Sequence, residues 1–133
     1  MGVVVDSNVL IDLLAGNARA VAKVREAERA FGPPFISSVV LFETLVGVLF
    51  RGSATKAQAL EALLTRYPSL PVDATDARRA AEIRVELLRS GRAASTADAL
   101  IAGQALQGGH LLITRDQALL KAASAVGFRA ETY

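Results

Sequence analysis

Residues 3–11 read VVVDSNVLI. The three valines predict a short buried β-strand, and the apolar string after Ser7 and Asn8 predicts a helix, so Asp6 falls at the turn between them. A similar order returns late in the chain, where residues 111–116 read LLITRD and a helical pattern follows. Both stretches therefore predict a strand that passes directly into a helix, with an aspartate at the junction.

Between these stretches, short apolar runs alternate with longer amphipathic patterns. Further strands are predicted at residues 35–36 and 128–131, with a short extended piece at 70–72. Helices are predicted at about residues 18–31, 38–50, 75–89, 96–106 and 117–126, and another ends near residue 67. This alternation indicates right-handed crossovers in one α/β domain spanning residues 1–133, with three layers (α/β/α) and a central, mainly parallel sheet of four to five short strands.

The composition limits the chemistry. The chain has no cysteine, which excludes disulfides and thiolate sites and favours a reducing cytosol. No basic leader precedes the first valines and no apolar run is long enough to cross a membrane, so we expect a cytoplasmic protein. A net charge of +2 permits a polyanionic partner. A hydrophobic share of 52% predicts that some apolar surface meets a protein partner.

Four acids carry the functional argument. Asp6 and Asp116 follow predicted strands, where α/β proteins bind ligands, although an aspartate there also suits a helix N-cap. Asp98 follows Ser95 at capping-box spacing, yet it shares a helical face with apolar residues. Glu43 lies inside the apolar run VVLFETLV, so its charge needs an arginine partner, a half-exposed helix or a cleft filled by a metal ion.

If these carboxylates converge, a hard divalent cation is needed to offset their repulsion. Mg²⁺ fits best, with Mn²⁺ as the other candidate, because these ions prefer oxygen ligands whereas zinc and copper favour the thiolates and imidazoles that are scarce here. The lone histidine, His110, is predicted at the start of a strand, far from the acids, in a structural role. The pattern therefore predicts metal-assisted hydrolysis of a phosphodiester.

The four motifs together resemble the PIN-domain ribonucleases, specifically the VapC-type toxins of bacterial toxin–antitoxin pairs. The resemblance spans the whole chain and is carried by VVDSNVLI at residues 4–11, SSVVLFETLVG at 37–47, TADALIA at 96–102 and LITRD at 112–116. It implies a PIN-like fold and RNA as the substrate. It also implies a homodimer, inhibited by a small antitoxin whose tail covers the active-site groove.

The resemblance implies a role for each motif residue. Asp6, Glu43, Asp98 and Asp116 form the acidic pocket, in which Asp6 and Asp98 bind Mg²⁺ directly and Asp116 binds it directly or through water. Small polar residues that hold the carboxylates or touch substrate correspond to Ser7 or Asn8 and to Thr114. The family commonly has threonine after the first acid, so Ser7 departs from the pattern but keeps the hydroxyl.

Two other classes of protein remain as alternatives. A haloacid-dehalogenase-like phosphatase also begins with a strand-end aspartate, but its chemistry needs a second acid at the position of Asn8. A non-catalytic metal- or RNA-binding α/β module, including a receiver-like one, would use the acids only for Mg²⁺ or helix caps. A receiver would need paired acids after its first strand, and an RNA-binding PIN fold would be expected to lack one of the four acids.

Overall fold

A computed structural model describes all 133 residues as seven helices and five short strands. The helices are α1 (Ser7–Leu14), α2 (Ala18–Phe31), α3 (Ser38–Arg51), α4 (Ala54–Arg66), α5 (Ala74–Arg89), α6 (Thr96–Gly108) and α7 (Gln117–Val126). The strands are β1 (Val3–Val5), β2 (Ile36–Ser37), β3 (Ser69–Leu70), β4 (Leu111–Ile113) and β5 (Arg129–Glu131). None of the helices combines the length and apolar character that crossing a membrane requires.

The strands form two small parallel sheets rather than one continuous sheet. One has the order β1-β4-β5 and the other pairs β2 with β3. A parallel bridge between Val4 and Phe35 joins them, so the order across the molecule is β3-β2-β1-β4-β5. The parallel arrangement confirms the prediction. The second sheet is short because prolines, which cannot donate a ladder hydrogen bond, lie close to β2 and flank β3 at Pro34, Pro68 and Pro71.

This strand order places a topological switch point at β1 and β4. The chain winds to one side of β1 through β2 and β3, then returns to its other side at β4. Val5 pairs with Ile113, so the residues that follow the two strands emerge side by side. Ligands of open α/β sheets bind at such a point, outside the carboxyl ends of the strands.

Helices cover both faces of β1 and β4. All residues of the two strands are buried, which requires cover on both sides because successive side chains point to opposite faces. The helices α5 and α6 pack closely at Gly103, where an added Cβ would lie 2.9 Å from the backbone nitrogen of Ala80. A short connection joins α6 to β4, so α6 runs antiparallel to that strand and begins at the carboxyl edge of the sheet.

The predicted helix bounds agree with the structure to within a few residues, and α2 and α7 coincide with their predicted ranges. The start of α5 differs slightly from the predicted residue 75. Asp73 is its N-cap and forms a reciprocal capping box with Asp76, so the helix begins at Ala74. This box satisfies backbone N–H groups of the first turn, which explains the earlier start.

Candidate active site

Asp6 lies at the carboxyl end of β1 and forms the N-cap of α1. It is only 4% exposed. Its Oδ1 accepts a 2.8 Å hydrogen bond from the backbone N–H of Ser7, and its Oδ2 accepts a 2.7 Å bond from the hydroxyl of Thr114. Both carboxylate oxygens are therefore fixed, and each retains a lone pair for a further contact.

Thr114 connects Asp6 to Asp116. The fully buried hydroxyl of Thr114, at the end of β4, also accepts a 3.0 Å hydrogen bond from the backbone N–H of Asp116. Asp116 is the N-cap of α7, where its Oδ1 accepts bonds from Ala118 and Leu119 at 2.8 and 3.2 Å. Its Oδ2 accepts no hydrogen bond from the protein, which leaves that oxygen available to a ligand.

Asp98 approaches the same edge from the first turn of α6. Its backbone N–H donates to Ser95 Oγ at 3.0 Å, and its Oδ2 accepts from the backbone N–H of Ser95 at 3.4 Å. The residue is half-buried, and its negative charge raises the pKa of both Asp6 and Glu43. Asp98 therefore forms the predicted capping box and also lies within electrostatic reach of the other acids.

Glu43 is exposed to solvent rather than buried among the apolar residues that share its face of the helix. Along α3, Glu43 is exposed, as are Val46 and Phe50 on the same face. The half-exposed helix, one of the three environments left open, is the one observed. The charge of Glu43 is therefore not buried among apolar side chains, and its position in the apolar run does not by itself require a metal ion.

The carboxylate of Glu43 nevertheless lies within electrostatic reach of Asp6 and Asp98. Partial burial raises the pKa of Glu43 above its usual value, and the charges of Asp6 and Asp98 raise it further. An interaction with the side chain of Ser7 lowers this pKa in part. Glu43 therefore lies where α3 meets the first turn of α1, beside Asp6.

The charges of this cluster are not neutralised by protein cations. The structure contains five ion pairs, and none involves the four acids. Burial is the main cause that raises the pKa of Asp6, and the charges of Asp98 and Asp116 add to it, against the lowering effect of the hydrogen bonds from Thr114 and Ser7. Helix capping explains three of the positions singly, but it does not explain four unpaired carboxylates around one edge.

The donor set fits a hydrated Mg²⁺ or Mn²⁺. No three acidic or histidine side chains stand close enough together to hold an ion directly. Mg²⁺ usually keeps several waters and binds proteins through one or two carboxylates, so it does not require three adjoining protein ligands. Asp116 Oδ2 and Asp98 Oδ1 accept no hydrogen bond from the protein.

A second set of contacts, beside the acids, connects the segment after β4 to α1. The backbone N–H of Arg115 donates to Asn8 Oδ1 at 3.3 Å, and its guanidinium pairs with Asp12 at 3.1 Å. The hydroxyl of Tyr133 donates to the same carboxylate of Asp12 at 2.6 Å. Sequence reasoning did not identify Asp12, Arg115 or Tyr133 as site neighbours, because no local pattern relates residues 103 or 121 positions apart.

His110 lies at the opposite edge of the sheet, immediately before β4. Its Nδ1 accepts a 3.0 Å hydrogen bond from the backbone N–H of Gly2, and its ring packs 5.5 Å from that of Phe35. Burial lowers its pKa, which favours the neutral acceptor form. The structure therefore places His110 away from the acids, in a packing role.

Comparison with known proteins identifies the class. The sequence profile of the PIN domain matches residues 3–125, and the chain belongs to the PIN-domain family. Members of this family are typically Mg²⁺-dependent nucleases. No curated protein sequence matches the chain.

Solved structures of toxin–antitoxin proteins share the fold at low identity. VapBC2 from Rickettsia felis, bound to a promoter DNA fragment, superposes with a TM-score of 0.85 at 20% identity over 100% of this chain and 99% of that one. FitAcB from Neisseria gonorrhoeae gives 0.79 at 25% identity, over 96% and 95% of the two chains. VapC20 from Mycobacterium tuberculosis, a toxin that cleaves the sarcin–ricin loop, gives 0.67 at 26% identity over 96% of each chain.

Proposed function

We propose that this protein is a Mg²⁺-dependent endoribonuclease and the toxin component of a VapBC-type toxin–antitoxin pair, acting in the cytoplasm as a single PIN domain. The observation that carries the proposal is the cluster of Asp6, Glu43, Asp98 and Asp116. These acids come from four separate elements, lie around the switch point of the sheet within electrostatic reach of Asp6, and form no ion pair with a protein cation. A divalent cation would offset the negative charge of this cluster. The chain also belongs to the PIN-domain family, whose members are typically nucleases.

Asp6, Asp98 and Asp116 are the residues that would hold the ion. Asp6 is the most rigid of them, since both of its oxygens are hydrogen-bonded. Bound there, Mg²⁺ supplies a Lewis acid for the scissile phosphate. The helix caps formed by these acids keep their carboxylates oriented before any ligand binds.

Glu43 is suited to accept the proton of the attacking water. Its pKa is raised by partial burial and by the charges of Asp6 and Asp98, which brings its affinity for a proton closer to that required of a general base. The water attacks phosphorus and its proton passes to Glu43. The bond from phosphorus to the leaving ribose oxygen breaks, and that oxygen takes a proton from solvent, which gives a phosphomonoester and a free hydroxyl. Thr114, Ser7 and Asn8 position the acids and the adjoining loop through their side chains.

An antitoxin and a second copy of the chain are the proposed protein partners. The helix α3 presents large apolar side chains to solvent, and α1 adds one more: Ile11, Phe42, Val46, Leu49 and Phe50. A contiguous apolar surface of this kind marks an interaction site. Two structural relatives, VapBC2 from Rickettsia felis and a toxin–antitoxin complex from Klebsiella pneumoniae, were crystallised as complexes.

Cleavage of RNA by antitoxin-free protein tests the proposal. We expect labelled RNA to be cut internally with Mg²⁺ and to remain intact with EDTA. Asp6→Asn should slow cutting by at least about a hundredfold, because it removes one charge from the metal site. Asparagine caps helices about as well as aspartate, so this variant should still fold.

Asp73→Asn is the matched control. Asp73 is also an N-cap, but it is an exposed residue at the start of α5 and away from the cluster. This control should cut RNA at the wild-type rate. Cutting that survives EDTA, or that is equal in Asp6→Asn and wild type, would overturn the proposal.

A further inference from the structure

The line along which α1 and α3 pack against each other, here called the groove, has Ser7 and Glu43 at one end. On α3, Glu43, Gly47 and Arg51 follow one another at four-residue spacing and therefore share one stripe of the helix. On α1, Ile11 lies one turn beyond Ser7, which itself interacts with Glu43. The two helices thus run side by side away from the acids, α1 from its first turn and α3 from its second.

A cavity of about 70 Å³ opens one turn further along this groove. Its walls include Ile11 and Leu14 of α1, Gly47 and Arg51 of α3, and Lys56 of α4. The space beside Gly47 is open, since a Cβ added there would meet no atom within 4 Å. At 1.5 Å of rise per residue, Arg51 lies about 12 Å along α3 from Glu43.

Arg51 and Lys56 are exposed cations without partners. Neither side chain takes part in an ion pair or a hydrogen bond within the protein. Lys56 stands in the first turn of α4, where the helix dipole disfavours a positive charge. An anion between these side chains would therefore offset the repulsion between Lys56 and the helix dipole, and it would also form ion pairs with both cations.

The cavity wall also contains an unsatisfied polar group. Thr44 is 2% exposed, and its hydroxyl has no hydrogen-bond partner. Thr44 lines the cavity, and threonine in a helix populates two χ1 rotamers, so its hydroxyl can change direction. A ligand with acceptor oxygens would supply the missing partner.

We propose that this cavity binds a phosphate group of the RNA strand, one or two nucleotides away from the bond that is cut at the acids. This inference rests on the proposed function. The volume corresponds to about two water molecules, which suits a single phosphate-sized group and excludes a base. The acidic edge repels a nucleic-acid backbone, and a cationic pair on the same groove anchors the strand beside it.

RNA binding in the Asp6→Asn background tests the inference, since the strand then stays intact. Adding Arg51→Ala with Lys56→Ala should raise the Kd for a labelled single-stranded RNA about tenfold, uniformly across sequences. The slope of log affinity against log salt should become shallower by about 0.7, the change expected when contact with one phosphate of a single strand is lost. The control, Arg25→Ala with Arg78→Ala, removes two exposed, unpaired charges on α2 and α5 and should leave affinity and slope near those of the parent.

Gly47→Leu provides a second, uncharged test. The open space beside Gly47 lets the helix accept a side chain without distortion, while the leucine fills the cavity. In otherwise wild-type protein, both this variant and the double cation variant should raise KM for RNA with kcat within about twofold of wild type. Thermal melting checks that each variant is folded.

The outcomes separate the two proposals. If the wild-type protein cuts RNA, but loss of Arg51 and Lys56 leaves Kd, salt slope and KM unchanged, the phosphate site is overturned and the proposed ribonuclease activity stands. Protein that binds RNA through these cations but never cuts it overturns the ribonuclease alone. Failure to bind RNA at all overturns both.

Discussion

The hydroxyl of Thr114 donates a 2.7 Å hydrogen bond to the carboxylate of Asp6, 108 residues earlier in the chain. The two residues follow paired strands, β4 and β1, at the switch point of the sheet. The same hydroxyl accepts from the backbone of Asp116. One buried side chain therefore sets the positions of two of the four acids relative to each other.

Replacing Thr114 with valine should impair both stability and activity. Valine keeps the shape but leaves Asp6 Oδ2 and the Asp116 N–H without partners, at a cost of about 1–3 kcal/mol in the free energy of unfolding. Loss of a residue that orients a metal ligand typically lowers activity about 10–100-fold. Urea denaturation and Mg²⁺-dependent RNA cleavage measure the two effects.

Thr114→Ser serves as the rescue variant, because serine retains the hydroxyl. It should recover most of the activity lost in Thr114→Val. Equal activity in valine and serine variants would show that the hydrogen bond to Asp6 is not needed.

Metal-free protein should lose stability as the pH rises from about 4 towards neutrality. Folding raises the pKa values of Asp6 and Glu43 above their ordinary values of 3.8 and 4.5, so the folded state binds more protons than the unfolded state in the window above those values. The free energy of unfolding then falls with increasing pH, by at most about 1.4 kcal/mol per pH unit for each group. Above the raised pKa values the loss is complete.

Comparison with Asp6→Asn isolates the contribution of Asp6. Urea unfolding in EDTA across this pH range should show a shallower decline for the variant than for wild type. Parallel curves would contradict the assigned burial and crowding of Asp6.

Much of the fold could be predicted from local signals. Val3–Val5 and Leu111–Ile113 are continuous apolar runs, as expected of strands buried on both faces. The aspartates that follow them, Asp6 and Asp116, mark the next helix starts. The bounds of α2 follow from Asn17 as N-cap and Gly32 as C-cap. The division into two sheets was not predictable in the same way, because it depends on how far β2 approaches β1 in space.

The site was less predictable than the fold. Helical spacing places Glu43 on a stripe with Val46 and Phe50, but the sequence cannot say whether that stripe faces the core, and here it faces solvent. The bonds of Asp12 to Arg115 and Tyr133 likewise depend on tertiary structure, since no periodic pattern links such distant residues. The metal-binding and catalytic roles of the four acids stay predictions.

Two glycine substitutions should change stability in opposite directions. Gly103→Ala places a methyl group 2.9 Å from Ala80 Cβ and should destabilise the protein by about 1–3 kcal/mol through overpacking of α5 against α6. Gly47→Ala meets no atom within 4 Å and should gain up to about 1 kcal/mol from higher helix propensity. Urea denaturation of both variants provides the check, and a neutral or stabilising Gly103→Ala would contradict the close packing that positions α6 and Asp98.

Direct binding of Mn²⁺, followed by the loss of the free-ion signal in electron paramagnetic resonance, tests most directly whether the four acids form one metal site. Wild-type protein should bind Mn²⁺, and each of Asp6→Asn, Asp98→Asn and Asp116→Asn should weaken binding at least about tenfold. Asp73→Asn, which alters a helix cap away from the cluster, should bind as wild type does. Wild-type protein that leaves millimolar Mn²⁺ free, or variants that bind it as tightly as wild type, would contradict the account.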